Sequence, residues 1–274
     1  MSLLWINGSL IDKAEARVSP FDHGFLYGDG VWEHLRIRGG QLIRPANHLK
    51  QLFAAAEVLS IDIPLSLEQL TAAIEATAKA NNRTDGYVRV IVSRGPGTIG
   101  ADPRKVVPQV HIITEEYRPF PDELYGHGLH AVVFPTPLDT EHPANRVRTL
   151  GQPHTVLAKQ FALKHGCLEA IYQNPAGRLV GTTEGFLFLV KDEAVVVAGD
   201  QPTDATGYAV AAFAGESGLV VAEYSVKAAD LFSAEEAFIA GTACGVIGIV
   251  RVDGKDIGSG SEGPITRAIR ERFS

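Results

Sequence analysis

Two prolines one residue apart, in the segment Tyr117-Arg118-Pro119-Phe120-Pro121-Asp122, constrain this chain most, because neither a helix interior nor a central strand can run through them. The chain is expected to divide there into an N-terminal domain over 1–117, a linker over 118–124 and a C-terminal domain over 125–274. Its 274 residues suit that division, since cores usually close at roughly 100–150 residues per domain.

The two parts differ in pattern. Ahead of the prolines, Leu3 to Ile6 and Ser9 to Ile11 flank Asn7-Gly8, a pair that supplies the positive φ angles of a tight hairpin turn. Val31 to Ile37 and Gln41 to Ile43 flank Gly39-Gly40 as a second hairpin. Helices are predicted over Asn47 to Leu59 and Leu67 to Ala80, the second opened by a Ser66/Gln69 capping box, and strands over Tyr87 to Ser93 and Gln109 to Thr114. Behind the prolines, a helix over Thr155 to Lys164 is outnumbered by strands at His130 to Phe134, Ala170 to Gln173, Phe186 to Val190, Ala194 to Val197, Glu236 to Ile239 and Val246 to Val250. These patterns give an α+β fold.

A formal net charge of -7 without a run of Lys and Arg argues against nucleic acid as a partner. No apolar stretch approaches the roughly 18 residues of a membrane span, and the N-terminus lacks the basic and apolar pattern of a leader, so a cytoplasmic location away from the membrane is expected. Cys167 and Cys244 lack metal-ligand spacing and read as reduced, buried thiols. No phosphate loop, His-Glu-x-x-His helix or nucleophile elbow occurs.

The segment from Ser19 to Glu33, Ser-Pro-Phe-Asp-His-Gly-Phe-Leu-Tyr-Gly-Asp-Gly-Val-Trp-Glu, resembles the N-terminal signature of the class IV (fold type IV) pyridoxal phosphate enzymes. Those include branched-chain and D-amino acid aminotransferases, (R)-amine transaminases and aminodeoxychorismate lyase. The resemblance continues through His48-Leu49, Leu168 to Ile171, Gly177-Arg178, Ala240 to Ala243, Asp253-Gly254 and Gly263 to Thr266. It implies a two-domain fold type IV architecture, an N-terminal α/β sandwich with a C-terminal strand-rich, barrel-like domain, and a homodimer.

The same resemblance implies that several cofactor contacts are replaced. The family's Schiff-base lysine aligns with Arg148, whose guanidinium stays protonated and cannot attack a carbonyl. Lys159 would lie three helical turns further on, roughly 16 Å at the helical rise, at an ordinary surface position. The phosphate-binding arginine aligns with Gln51, the phosphate turn with Asp204-Ala205-Thr206, and the ring-nitrogen acid with Val180 or Gly181. Thr182, Thr183, Thr242 and Ala243 remain from the cavity lining, with Glu184 nearby.

Period-two alternation places Trp32, His34 and Arg36 on one face of a strand and Glu33, Leu35 and Ile37 on the other. An aromatic wall with an imidazole and a guanidinium suits a carboxylate-bearing or other small anionic ligand. Arg148, His34 and Glu184 are thus the candidate catalytic residues, and Trp32, Arg36, Gln51, Thr182, Thr183, Asp204, Thr206, Thr242 and Ala243 the candidate ligand contacts. His23 reads as structural, His154 as a helix cap or surface group, and no metal site is expected. Three readings stand. The chain binds or processes a small anionic molecule without pyridoxal phosphate, which is the expectation; it is a pyridoxal phosphate aminotransferase or aminodeoxychorismate lyase-like enzyme with a relocated anchor; or it is a non-catalytic dimeric scaffold.

Overall fold

Asn7 and Gly8 take φ angles of 47° and 100° in a computed structural model that describes residues 2–202 and 204–273, and they close the hairpin of β1 (Leu3–Ile6) and β2 (Ser9–Asp12). A short helix, α1 (His23–Tyr27), precedes the second hairpin, β3 (Gly30–Arg38) and β4 (Gln41–Leu42). Then come α2 (Pro45–Val58), α3 (Leu67–Ala80), β5 (Gly86–Ser93) and β6 (Gln109–Glu115). The six strands form one antiparallel sheet in the order β2-β1-β6-β5-β3-β4. Its apolar face, with Val31, Leu35, Ile37, Val88 and Val90, packs on Leu49, Leu52, Leu70 and Ile74 of α2 and α3. Ser66 closes its capping box with Gln69 as expected.

The chain splits into two compact units, but not at one point: Met1–Tyr117 with Val147–Gln152 form the first, and Arg118–Arg146 with Pro153–Ser274 the second. This corrects the continuous C-terminal domain expected over 125–274. The physical reason lies in the signature glycines. Thr149 bridges Val31, Leu150 N–H donates to Gly30 O at 2.9 Å, and Trp32 N–H donates to Arg148 O at 3.1 Å. A Cβ on Gly28 would lie 2.8 Å from Gly151 Cα, and one on Gly30 would lie 2.5 Å from Leu150 Cδ1, so only glycine lets 147–152 run beside β3. Residues 118–124, expected as a linker, group with the second unit, where Phe120 is buried in a core cluster.

The second unit continues with α4 (Leu124–His127), β7 (Leu129–Val133), α5 (Pro153–Lys164), β8 (Glu169–Gln173), β9 (Leu179–Thr182), β10 (Phe186–Lys191) and β11 (Ala194–Ala198). It ends with α6 (Ala205–Glu216), β12 (Val220–Tyr224), α7 (Ala228–Phe232), β13 (Glu236–Gly241), β14 (Gly245–Val252), β15 (Lys255–Asp256) and α8 (Pro264–Phe273). The sheet runs β12-β11-β10-β13-β14-β7-β8-β9, with β15 on β14. Both faces of β10 are covered: Phe186, Phe188 and Val190 meet one cluster with Val210 of α6 and Ile269 of α8, while Leu187 and Leu189 meet another. Burial on both sides is why the strand reads as an unbroken apolar run. The α+β, two-domain expectation matches this architecture. Among the described residues no helix is long and apolar enough to cross a membrane.

Candidate active site

Unit 1 gathers its charged side chains around β3. Glu33, on the apolar face, is buried; its Oε1 lies 3.4 Å from His48 Nδ1 on α2, and its Oε2 accepts from Arg148 Nη1 at 3.3 Å. A buried carboxylate is costly unless paired, so α2 and the returning 147–152 segment are what make Glu33 tolerable there. On the opposite face, His34 Nδ1 lies 2.9 Å from the Tyr87 hydroxyl, across the β3–β5 register that also sets His34 opposite Arg89. Trp32 Nε1 donates to Thr149 O at 3.0 Å, which fixes the indole. The Arg89 guanidinium lies 4.1 Å from the Trp32 ring centroid and the Arg148 guanidinium 5.4 Å from it.

Burial, reinforced by Arg148, His48 and Arg89, holds His34 well below the ordinary imidazole pKa. The imidazole is therefore neutral at neutral pH. Arg89 is half-buried and donates to the Tyr87 hydroxyl at 3.2 Å, and among the described residues no carboxylate pairs with it. Arg36 shares this strand face, and Gln51 is half-buried on α2.

Unit 2 holds the other expected residues in a set of opposite sign. Glu169, at the start of β8, is fully buried and accepts from Thr183 N–H at 2.7 Å and from the Thr183 hydroxyl. Lys159 on α5 reaches Glu184 Oε1 at 3.4 Å and Glu169 Oε2 at 3.9 Å, and its ammonium lies 5.2 Å from the Phe120 ring centroid. Its side chain is 30% exposed, which corrects the surface assignment; the helical ruler from Arg148 fails too, because α5 begins only at Pro153. Burial raises Glu169 to a pKa of about 7, against the lowering influence of Lys159, and Glu184 adds to the rise. Burial, together with the same acids, pushes the Cys244 thiol well above its usual range, so it is inert.

Thr206 and Thr242 are buried with their hydroxyls 2.7 Å apart, and Ala243 is buried beside them. Asp204 caps α6 by accepting from Gly207 N–H at 2.7 Å, so a carboxylate of the chain itself occupies that helix terminus. Val180 is buried in a core cluster and Gly181 sits at φ 110°, so neither place offers an acid; Glu184 and Glu169 are the acids present. Thr182 is buried and bonded to Gly185 rather than turned to the acids. His154, expected as a cap or surface group, is half-buried against Phe134 and Tyr172 instead, because the second position of α5 faces that cluster. His23 is buried, with Nε2 3.0 Å from Thr98 O.

Sequence reasoning did not assign roles to Tyr87, Arg89, His48, Lys159 or Glu169. For Arg89 a signal existed: alternation along β5 puts Tyr87 and Arg89 on one face.

The model of the amino-transferase class IV family matches residues 30–252. The chain belongs to the class IV aminotransferase family. It is 34% identical to a protein of Methanocaldococcus jannaschii provisionally named a branched-chain-amino-acid aminotransferase, over 98% of this chain and 94% of that one. It is 26% identical to a D-alanine aminotransferase of Staphylococcus haemolyticus, over 100% and 97%. A T.th. branched-chain amino acid aminotransferase solved with pyridoxamine 5'-phosphate superposes with a TM-score of 0.94 at 24% identity, over 99% of this chain and 92% of that one. The expectation that no cofactor is used is corrected by the family match and the curated relatives, which are aminotransferases of a pyridoxal phosphate family.

Proposed function

We propose that the chain is a pyridoxal phosphate-using class IV aminotransferase whose amino substrate carries a carboxylate, working as a homodimer as the family resemblance implies. The single observation behind the substrate class is Arg89: a half-buried guanidinium, stacked at 4.1 Å on Trp32, with no carboxylate beside it among the described residues. A cation so placed recovers its lost hydration by taking an anion. His34, kept neutral, adds no competing charge and offers an imidazole nitrogen.

The residues of unit 2 fit the reactive half of the cofactor better than its phosphate. Lys159 supplies an amine, Glu184 and Glu169 supply acids, and the Thr206 and Thr242 hydroxyls supply donors. Asp204 at the α6 terminus disfavours a phosphate at that point. When bound, the cofactor supplies an electron sink that lets an amino group move between carbon skeletons. In the first unit Arg89 and Trp32 orient the carboxylate; in the second, taken by itself, Glu169 can hold or release a proton near neutrality because its pKa is about 7.

Steady-state transamination by wild type and Arg89→Gln tests the substrate reading. With a carboxylate-bearing donor, KM should rise about tenfold to a hundredfold, while a donor amine without a carboxylate should be unaffected. Equal losses on both donors would sink the assignment.

A further inference from the structure

The buried ring of His34 stands between two charged groups of its own unit. Its backbone N–H donates to Glu33 Oε1 at 2.9 Å, and the same oxygen lies 3.9 Å from Nε2, which makes no hydrogen bond among the described residues. At the other edge of the ring Nδ1 lies 2.9 Å from the Tyr87 hydroxyl oxygen, and that oxygen accepts from Arg89 Nη2 at 3.2 Å. We propose that His34 is a positioning residue of the carboxylate site: it carries its proton on Nε2, takes the Tyr87 hydroxyl proton at Nδ1, and so keeps the Tyr87 oxygen turned to Arg89 and the guanidinium in place for the ligand. This rests on the reading above that Arg89 receives the substrate carboxylate, and it involves no cofactor.

Burial, with the Arg148, His48 and Arg89 cations around it, keeps the ring neutral at neutral pH, so it has one N–H to place. Glu33 decides where. A proton on Nε2 turns the N–H dipole toward the carboxylate, which at 3.9 Å is too far for a hydrogen bond but is felt strongly in a buried place; a proton on Nδ1 would turn the bare Nε2 lone pair on that carboxylate instead. Nδ1 is then an acceptor only, and the Tyr87 hydroxyl is the donor it meets. Arg89 has donors only, so it too needs the Tyr87 oxygen, as acceptor. The dipoles therefore run one way, from the Arg89 guanidinium through Tyr87 and His34 to Glu33, and each polarises the next. Register builds the run, because β3 and β5 set His34 directly opposite Arg89, and the Trp32 ring backs the guanidinium at 4.1 Å. Arg89 Nε remains buried and without a hydrogen bond among the described residues, a donor left for the ligand.

Two measurements on the full chain test this. In protein labelled with 15N-histidine, the His34 ring resonances, assigned by their loss in His34→Asn, should be those of the Nε2–H tautomer; the Nδ1–H tautomer, or an imidazolium at neutral pH, overturns the inference. Calorimetric titration with 4-methylvalerate, against 4-methylvaleramide as the uncharged control, reads the positioning. His34→Leu and Tyr87→Phe should each weaken carboxylate binding about tenfold and leave the response to the amide unchanged. The double variant should bind no more weakly than either single one, and His34→Asn, whose Oδ1 stands where Nδ1 stood, should stay within about threefold of wild type. Wild-type affinity in His34→Leu, additive losses in the double variant, or no rescue by asparagine overturns the inference, while loss of the carboxylate in Arg89→Gln leaves the reading of Arg89 standing. If His34→Leu does not fold, the tautomer of the wild type and the Tyr87→Phe titration still decide. A wild type that does not prefer the carboxylate to the amide, or an Arg89→Gln variant that keeps the preference, overturns both.

Discussion

The two units bury charge in opposite ways. In unit 1 a single acid, Glu33, faces His48 and Arg148, with Arg89 and His34 on the other side of the strand. In unit 2 a single lysine faces Glu169 and Glu184, with Asp204 capping a nearby element of the same unit. Burial disfavours the charged form in both. Burial is the largest cause in both; the neighbouring cations reinforce it at His34, whereas at Glu169 the Lys159 ammonium opposes it and Glu184 adds to the rise. Each unit, taken by itself, thus has its own balance of charge: cations around one buried acid in the first, acids around one lysine in the second.

The largest expected effect breaks unit 1. Glu33→Ala leaves Arg148 and His48 facing an uncompensated buried site and should cost about 3–5 kcal/mol in chemical denaturation. A loss near zero would mean that the cations relax to solvent and that the cluster is not a preorganised site.

Next, the pH dependence of stability should run in opposite directions for the two clusters. The Glu169 pKa is raised in the folded state, so its contribution is fully present below about 4.5 and is lost as pH rises through about 7. His34 is lowered, so its contribution is present above 6.5 and is lost as pH falls below that. Melting curves of Glu169→Gln and His34→Gln against wild type should therefore diverge with opposite signs: the glutamine at 169 gains on wild type as pH rises, and the glutamine at 34 gains as pH falls. Parallel curves would remove the contrast.

A smaller, local effect comes from the anion-binding face. Arg36→Gln lies on the strand face of Trp32 and His34, and should weaken protection by a dicarboxylate more than by a neutral amide, read as a thermal shift smaller than that of Arg89→Gln. The smallest is a control far from either cluster: Ser66→Ala removes the α3 capping box and should cost about 1 kcal/mol with no change in ligand response.

Local features were legible where the physics is local. The Asn7-Gly8 turn, the Ser66/Gln69 box and the β3 alternation each follow from a few adjacent residues, and all three took their expected form. Long-range placement was not. Glu33 reads simply as the wrong residue on an apolar face until His48 and, from 115 positions away, Arg148 come to meet it. The 147–152 segment belongs with unit 1 because Gly28 and Gly30 leave room for it, and a glycine in a signature does not say what it makes room for. Lys159 reads as a surface position only by the family resemblance, and no local pattern shows that its acids arrive from β8 and the loop after β9. The sequence pattern named neither α6 nor α8 as a helix, although Asp204 as a cap and Pro264 at the first helical position are both helix-start signals.

The most direct measurement is amino transfer itself: protein with pyridoxal 5'-phosphate, a 15N-labelled branched-chain or D-amino acid and an unlabelled 2-oxo acid, with the new amino acid quantified by mass spectrometry. An aminotransferase with Arg89 at its carboxylate site should place 15N in the new amino acid, saturably in donor, and Arg89→Gln should greatly reduce that transfer. Full cofactor binding with no transfer from any carboxylate-bearing donor would contradict it.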